Sequence, residues 1–185
     1  LTSAYTSLRY AVAEHSGALS SDEVWLGTFL HRIVDHVTVP DGVSLTIEPG
    51  AVVKFDTYKE LTIQGTLDAQ GTVAQPITFT SIRDDSVAGD SNGDGNTTSA
   101  SAGDWRWIYV DGGTAALDHA SLRYGGGTTS GAWDATGILR TSGNADLTLS
   151  NSIVRDVFFD GVLNWGGTTT IENTVLTEID RAITS

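Results

Sequence analysis

A repeat of about 22 residues near the C-terminus constrains the fold more than any other feature of this sequence. Residues 149–157 (LSNSIVRDV) align with residues 171–179 (IENTVLTEI), so that leucine meets isoleucine and asparagine meets asparagine. A looser third copy occupies residues 117–124 (LDHASLRY), and each copy follows a short apolar segment and a glycine turn. Short β-type segments with glycine corners at a fixed period are typical of a β-solenoid, in which successive coils stack on one another.

Stacking follows from how little a single coil can bury. A unit of three short strands cannot shield its own apolar side chains, whereas coils stacked at the inter-strand spacing of ~4.8 Å share one core. We therefore expect Leu117, Leu149 and Ile171 to form one inward column. Asn151 and Asn173 are expected to stack inward at equivalent corners as a hydrogen-bonded ladder. The alternative is that asparagine occurs there only because it favours turns.

The composition agrees with a stack of short strands and disfavours several other classes of protein. The chain of 185 residues contains 21 glycines and no cysteine, so it has no disulfide and no thiolate metal site. Its formal net charge of −13 disfavours nucleic acid or an anionic membrane as a partner, because both attract lysine and arginine. No apolar run approaches the ~20 residues of a membrane-spanning helix, so no membrane span is expected.

The sequence divides into an N-terminal cap, residues 1–27, and a stack of about five coils, residues 28–185. A helix is predicted over residues 6–16, since a threonine is a suitable N-cap, apolar residues fall near one face and a glycine supplies the stop. Such a helical cap would cover the open end of the stack. The repeat is interrupted at residues 84–104, which we interpret as an inserted calcium-binding loop.

Residues 37–55, VTVPDGVSLTIEPGAVVKF, resemble the opening coil of the right-handed parallel β-helix region that is common in bacterial secreted and surface proteins. Four further segments continue the pattern: residues 65–71, 76–81, 103–105 and 119–125. The resemblance covers residues 28–185 and implies an all-β, right-handed parallel β-helix that is secreted or displayed at the cell surface. Proteins of this kind usually have more coils, and they include adhesins, polysaccharide-acting enzymes and modules of unknown role.

The inserted loop carries the sharpest chemical motif of the sequence. Residues 83–96, RDDSVAGDSNGDGN, contain the pattern D-x-N-x-D-G, which is the first half of a calcium-binding loop. Asp90, Asn92 and Asp94 place side-chain oxygens at alternate positions, and Asn96 can offer its backbone carbonyl. Oxygen ligands of this kind favour calcium as the cofactor, since magnesium demands stricter geometry and keeps its waters.

The remaining ligands must come from outside this motif. At the twelfth position, where an EF-hand has a bidentate glutamate, the chain has Ser101. An EF-hand is therefore not expected, and the flanking carboxylates of Asp84, Asp85 and Asp104 are the candidates that complete the site. The alternative interpretation is an ordinary polar loop that is rich in turn residues.

Aromatic residues offer a second, different candidate site. Trp105 and Trp107 share one face of a predicted strand, because successive side chains of a strand alternate between its faces. With Trp133 and Tyr124 they could form an outward surface that stacks on the rings of a polysaccharide. The alternative is that several of these rings fill the core or cover a loop.

Three classes of function are compatible with these features. The first is a non-catalytic extracellular structural or adhesive module that calcium stabilises. The second is a glycan-binding module that uses the tryptophans, and the third is a fragment of a polysaccharide lyase, hydrolase or epimerase. The sequence has no Ser-His-Asp order, and its only lysines, Lys54 and Lys59, lack an evident set of acidic partners. A non-enzymatic module is therefore favoured.

The C-terminal residues bear on self-association. Residues 182–185 align with the start of earlier coils, at residues 137 and 161. An open coil exposes unpaired backbone groups and an apolar cross-section, so stacking through the solenoid ends into a filament is expected where this is the true C-terminus. The alternative is that residue 185 is a boundary within a longer parent protein.

Overall fold

The computed structural model describes residues 11–127, 137–179 and 181–184, and this part of the chain contains β-strands and no helix. Accordingly, these residues include no helix with the length and apolar character needed to cross a membrane. The described strands are β1 (Ala11–Ala18), β2 (Glu23–Trp25), β3 (Phe29–Val39), β4 (Ser44–Ile47), β5 (Val52–Phe55), β6 (Leu61–Ile63), β7 (Thr66–Gln70), β8 (Ile77–Ser81), β9 (Ile108–Asp111), β10 (Thr114–Asp118), β11 (Ala120–Arg123), β12 (Gly137–Ser142), β13 (Asp146–Ser150), β14 (Ile153–Arg155), β15 (Asp160–Asn164), β16 (Thr168–Glu172), β17 (Val175–Thr177) and β18 (Arg181–Thr184).

All pairings between these strands are parallel. One sheet has the order β17-β14-β11-β8-β5-β3-β6-β9-β12-β15-β18 with β1 beside β3, and the other has the order β16-β13-β10-β7-β4-β2. The long strand β3 joins two faces of the first sheet, because residues 30–33 pair with β5 and residues 37–39 pair with β6. We name the β5 side face 1, the β6 side face 2 and the second sheet face 3. Each coil adds one strand to each face, so the fold is a parallel β-solenoid.

The predicted register of the repeat is confirmed. On face 3, Leu117 of β10 pairs with Leu149 of β13, which in turn pairs with Ile171 of β16. Leu117 and Leu149 are buried in the interior, and Ile171 packs against the same core while remaining partly exposed. On the N-terminal side the column continues through Ala69 to Ile47. The 22-residue period therefore reflects one inward position in successive coils.

Alternating side chains build the interior between the three faces. In β4, for example, Leu45 and Ile47 point inward and are buried, while Ser44 and Thr46 are partly exposed. One hydrophobic cluster joins the inward residues of all three faces across the stack. Since burial of a large aliphatic side chain contributes roughly 1.5–3 kcal/mol, this shared core accounts for the association of the coils.

The predicted N-terminal helical cap is wrong for the residues that the structure describes. Residues 11–18 form strand β1, which pairs in parallel with β3 from Ala11 opposite Phe29 to Ala18 opposite Thr38. Residues 28–185 contain five complete coils, β3 to β16, and β17 with β18 begins another, which agrees with the predicted number of about five. The segment predicted as a cap adds one more coil, made by β1 and β2. Residues 11–18 form a strand because β3 offers them an edge to pair with, and pairing along a whole strand outweighs a weak local helix propensity. Residues 6–10 of the predicted helix lie outside the described residues.

The corner between faces 3 and 1 carries the predicted ladder, but on the outside of the solenoid. His119, Asn151 and Asn173 occupy equivalent positions with φ of 47°, 48° and 48°. The Nδ2 of Asn173 donates to Oδ1 of Asn151 at 3.4 Å, and both side chains are exposed rather than inward. Asparagine tolerates this left-handed conformation better than most residues. The asparagines at this corner therefore both adopt the turn conformation that asparagine favours and form the hydrogen-bonded ladder.

Candidate metal centre

The inserted loop comprises residues 82–107, between β8 and β9, and includes the predicted segment 84–104. It packs on the outer surface of face 1, over Lys54 of β5 and its neighbour in register, Thr80 of β8. Because the core covers the inner surface and the loop covers the outer one, both strands are buried along their whole length.

Lys54 fastens the loop to the solenoid wall. Its side chain is fully buried, and Nζ donates to the backbone oxygens of Asp84 (2.8 Å) and Gly89 (3.0 Å) and to Oγ of Ser91 (2.6 Å). Burial lowers the pKa of Lys54, and the charges of Asp84 and Asp85 partly oppose this effect. Sequence reasoning missed this role, because the run Val-Val-Lys-Phe carries no sign that a distant loop covers its outer surface.

Asp84 is a second anchor of the loop. Its carboxylate accepts hydrogen bonds from Thr80 Oγ1 and Ser86 Oγ, each at 2.6 Å, and lies 2.6 Å from the guanidinium of Arg123. Burial alone would raise the pKa of Asp84, but the hydrogen bonds from Ser86 and Thr80 and the charge of Arg123 lower it. The carboxylate is therefore ionised and paired within the protein.

Asp104 holds the other end of the loop in the same way. It accepts a hydrogen bond from Ser81 Oγ at 2.6 Å and one from the backbone nitrogen of Ser101 at 3.2 Å. It also forms an ion pair of 3.0 Å with Arg83. Two of the three flanking candidate ligands, Asp84 and Asp104, are thus engaged with protein groups.

The third flanking candidate, Asp85, joins the motif residues. Asp85, Asp90 and Asp94 each bring one carboxylate oxygen to within 4.8 Å of the others. Asn92 lies beside this cluster, with its Nδ2 donating to Oδ2 of Asp94 at 2.9 Å. The fourth motif residue, Asn96, has a left-handed backbone with φ of 74°. The structure therefore brings together the oxygen donors that a hard cation prefers.

The environment of Asp85 is the most telling feature of this acidic cluster. Its Oδ1 is buried and accepts no hydrogen bond from the described residues. Burial is the main cause that raises the pKa of Asp85; the neighbouring charges of Asp90 and Asp94 raise it further, and the charge of Lys54 partly opposes them. A buried carboxylate oxygen without a partner, beside two more carboxylates, is unfavourable unless a cation or a proton compensates it.

The rest of the loop is held by its own hydrogen bonds. Asp90 accepts the backbone N–H groups of Gly93 at 2.7 Å and Gly95 at 3.0 Å. Asp94 accepts those of Thr97 and Thr98, each at 3.1 Å. The hydrogen bond from the Thr98 hydroxyl is the main cause that lowers the pKa of Asp94. This pattern is also that of an ordinary polar turn, so Asp85 is the residue that sets the loop apart from one.

A small cavity of about 240 Å³ adjoins the acidic cluster. Asp85, Asn96 and Thr98 line it, together with the half-buried ring of Tyr124. Calcium sites in proteins commonly complete their coordination with water. The cavity provides space for such ligands next to Asp85.

Trp105 and Trp107 do not form an exposed aromatic surface. Trp105 is fully buried, stacks on Phe55 with ring centroids 4.0 Å apart and donates its indole N–H to the backbone oxygen of Arg123 at 2.9 Å. Trp107 is 7% exposed, and the guanidinium of Arg140 lies 4.1 Å from its ring centroid. Both rings are thus engaged in packing. Trp133, which was predicted to join them, lies outside the described residues.

A second concave surface follows the corner between faces 3 and 1. We call it the corner groove; it has a volume of about 470 Å³ and is lined by Val73, Pro76, His119, Ser121, Asn151, Ile153 and Asn173, among others. Within it, Asn151 Nδ2 donates to Oδ1 of Asp118 at 2.7 Å, and His119 Nδ1 lies 2.7 Å from Oδ2 of the same carboxylate. Hydrogen bonds from Asn151 and Ser150 are the main causes that lower the pKa of Asp118 to about 2. The ladder of amides therefore ends on an ionised carboxylate.

Comparisons with known proteins add no further constraint. No protein-family model matches the chain, and neither a characterised protein nor a solved structure matches it.

Proposed function

We propose that this chain is a non-catalytic structural or adhesive module of the extracellular space or cell surface, built as a right-handed parallel β-helix and stabilised by calcium. Two observations at Asp85 support it: one buried carboxylate oxygen accepts no hydrogen bond from the described residues, and the carboxylates of Asp85, Asp90 and Asp94 lie within 4.8 Å of one another. The proposed cation links different parts of the inserted loop where the loop packs on the outer surface of face 1. Its ligands are these three carboxylates, with oxygens of Asn92 and Asn96 available nearby.

The donor set fits calcium better than other common cations. It consists of oxygens alone, and the chain has no cysteine to favour a softer metal. Calcium accepts flexible coordination by carboxylates, carbonyls and water, whereas magnesium requires near-octahedral geometry. A divalent charge also offsets the repulsion among the three carboxylates.

The basic side chains near the loop are engaged in contacts within the protein, and this supports a non-catalytic role. Lys54 and Arg123 do lie beside acidic residues, as a polysaccharide lyase would require of a base. However, Lys54 is fully buried with its three hydrogen bonds made, and Arg123 is paired with Asp84. Neither is free to accept a proton from a substrate, and a general base must reach that proton.

Thermal unfolding tests the calcium proposal with a matched pair of variants. The wild type should melt at a higher temperature with calcium than with chelator, by an amount that grows with the free ion concentration. Asp85→Asn should lose most of this shift, while its melting temperature in chelator should rise because one repelling charge is gone. Asp68→Asn, which removes an exposed charge on face 3, should behave as the wild type. The same melting temperature of the wild type in calcium and in chelator would contradict the calcium proposal.

The alternative function, glycan binding, is favoured by the corner groove rather than by the tryptophans. Its exposed amides repeat at the ~4.8 Å spacing of parallel strands, which is close to the repeat of one sugar unit along a glycan. Side chains on one face of an extended peptide repeat at ~6.6 Å instead. The amides of Asn151 and Asn173 and the exposed Val73 suit an uncharged polyhydroxyl chain.

Calorimetry with neutral β-1,4-linked oligosaccharides tests this alternative. The wild type and the control Asp68→Ala should bind, and a double variant Asn151→Ala/Asn173→Ala should not. Absence of binding across such a panel removes the glycan hypothesis without affecting the calcium hypothesis.

End-to-end association through the solenoid ends stays part of the proposal. For a chain in which no further coil follows residue 185, the exposed side chains of Val175 (55%) and Ile183 (54%) offer apolar surface for this association. Sedimentation of the full chain over a range of concentrations, with and without calcium, measures it. Concentration-independent monomers under both conditions would contradict it.

A further inference from the structure

Asn92–Gly93 is the only Asn-Gly pair in the sequence, and it lies in the acidic loop. We propose that Asn92 is a self-modification site: the Gly93 backbone nitrogen attacks the side-chain amide of Asn92, and the hydrogen bonds of the loop hold this reaction back. The product carries a carboxylate where the amide was. This site needs no enzyme and no second substrate except water.

The reaction balances within the chain. The Gly93 nitrogen forms a bond to Cγ of Asn92, the bond from Cγ to Nδ2 breaks, and the proton of the Gly93 amide leaves with the departing nitrogen as ammonia. Water then opens the cyclic imide at either carbonyl, which gives aspartate or its β-linked isomer. Glycine favours the attack because it has no Cβ to obstruct the approach and because its backbone is flexible. A Cβ at residue 93 would meet no atom within 4 Å, so an alanine there is a usable control despite φ of +76°.

Three hydrogen bonds oppose the attack in the closed loop. The attacking nitrogen of Gly93 donates to Oδ1 of Asp90 at 2.7 Å. The leaving group, Nδ2 of Asn92, donates to Oδ2 of Asp94 at 2.9 Å and to Oγ1 of Thr98 at 3.1 Å. Both partners of the reaction are therefore held by other groups, and the reaction proceeds from the locally opened loop, whose population the free energy of opening sets.

The product alters the acidic cluster, and this step rests on the proposed function. In place of a donor to Asp94, residue 92 presents a negative charge beside Asp85, Asp90 and Asp94. Without a cation, the added repulsion loosens the loop; with a cation, aspartate at this position is an additional ligand. Modification thus makes the stability of the loop depend more strongly on the cation and less on its own hydrogen bonds.

Peptide mass spectrometry of the full chain, incubated at mildly alkaline pH, measures conversion of Asn92 over time, with Asn144 of the same chain as the internal comparison. Asp90→Ala should raise the rate at Asn92 about tenfold, which corresponds to about 1.4 kcal/mol in the free energy of opening. Asp68→Ala should leave it unchanged. The double variant Asp90→Ala/Gly93→Ala should return to a slow rate, since attack by the backbone nitrogen needs glycine.

The arms of this experiment separate the two proposals. Acceleration by Asp90→Ala, with a slower wild-type rate in calcium than in chelator, supports both. Acceleration by Asp90→Ala without any calcium effect supports the modification site and counts against the cation. Equal rates at Asn92 in the wild type and in Asp90→Ala, or a rate at Asn92 in Asp90→Ala no faster than at Asn144, overturn the modification site.

Discussion

Lys54 Nζ donates a hydrogen bond of 2.8 Å to the backbone oxygen of Asp84, and this contact joins the solenoid wall to the inserted loop. The two residues are 30 positions apart in sequence. The position of Asp84 fixes where the next residue, Asp85, enters the acidic cluster. The candidate cation site is therefore positioned by a side chain on the outer surface of face 1 as well as by its own turn.

Replacement of Lys54 by methionine should destabilise the chain by about 3 kcal/mol, because it leaves buried acceptors without a donor. The loop should also become easier to cleave with protease. Urea unfolding and limited proteolysis measure the two effects. Lys59→Met is the matched control, since Lys59 forms a partly exposed ion pair with Asp35, and such pairs contribute little. Equal effects of both substitutions would contradict an anchoring role for Lys54.

Leu149→Ala should lower the free energy of unfolding by about 2–5 kcal/mol, since it opens a cavity at a fully buried position between Leu117 and Ile171. Leu149→Asp should cost more, because an unpaired charge is then buried. Thr148→Ala on the outward side of the same strand is the control, with little expected change. Urea unfolding measures all three, and a cost below ~1 kcal/mol for Leu149→Ala would contradict the inward placement.

The column of Leu149 could be predicted from the sequence because its cause is periodic. Each coil places the same position inward, so the apolar residues recur at a fixed spacing and the register follows. The N-terminal segment gave the wrong answer because β1 owes its conformation to β3, a partner that no local pattern in residues 6–16 reveals. Tertiary pairing of this kind overrides weak propensities.

Half of the candidate metal site could be predicted for a similar reason. Asp90, Asn92 and Asp94 belong to a local turn, and a local turn has a sequence signature. No sequence signature indicates which of the flanking carboxylates, Asp84, Asp85 or Asp104, joins this turn. That choice depends on Arg123 and Arg83, which pair with two of these carboxylates from elsewhere in the chain or the loop and leave Asp85 to face the cluster.

Two substitutions of Asn151 should separate its backbone role from its side-chain role. Both Asn151→Gly and Asn151→Ala remove the hydrogen bonds to Asp118 and Asn173. Only alanine also carries the cost of a left-handed backbone, which is roughly 1–2 kcal/mol for a residue with a Cβ. In urea unfolding, alanine should therefore be the less stable of the two by about 1 kcal/mol. Alanine as stable as glycine would show that this corner relaxes away from φ of 48°.

Asn92→Asp mimics one product of the proposed modification. Its melting temperature in chelator should fall below that of the wild type, because a charge replaces a donor next to Asp94. Calcium should then raise it by more than it raises the wild type, since the variant offers a further carboxylate ligand. Asn144→Asp, in a turn outside the loop, should show neither effect. If Asn92→Asp has the melting temperature of the wild type both in calcium and in chelator, the proposed link between modification of Asn92 and cation binding is contradicted.

His15 of the first coil and His31 of the second coil form a neutral pair, and this pair should make stability depend on pH. His31 Nε2 lies 3.1 Å from the backbone oxygen of Leu26, which can only accept, so this nitrogen carries the proton. Its Nδ1 therefore accepts a hydrogen bond from Nε2 of His15 at 3.0 Å. Both rings stack with the buried Trp25, with centroids 4.0 Å and 5.1 Å from its own.

Burial, and then the proximity of His31, lowers the pKa of His15 from 6.5 to about 4; burial also lowers the pKa of His31, against the opposing hydrogen bond to Leu26 and the charge of Glu23. Between these pH values the unfolded chain binds more protons than the folded chain, so folding stability falls as pH falls. The contribution of the pair to folding stability is complete above about pH 6.5 and is lost progressively towards about pH 4.

Urea unfolding across this pH range should show the loss of stability in the wild type and in the control His36→Gln, since His36 is exposed on β3. His15→Phe keeps a ring against Trp25 without a titrating group, so its stability should depend less on pH; a slope as steep as that of the wild type would exclude the pair as the cause.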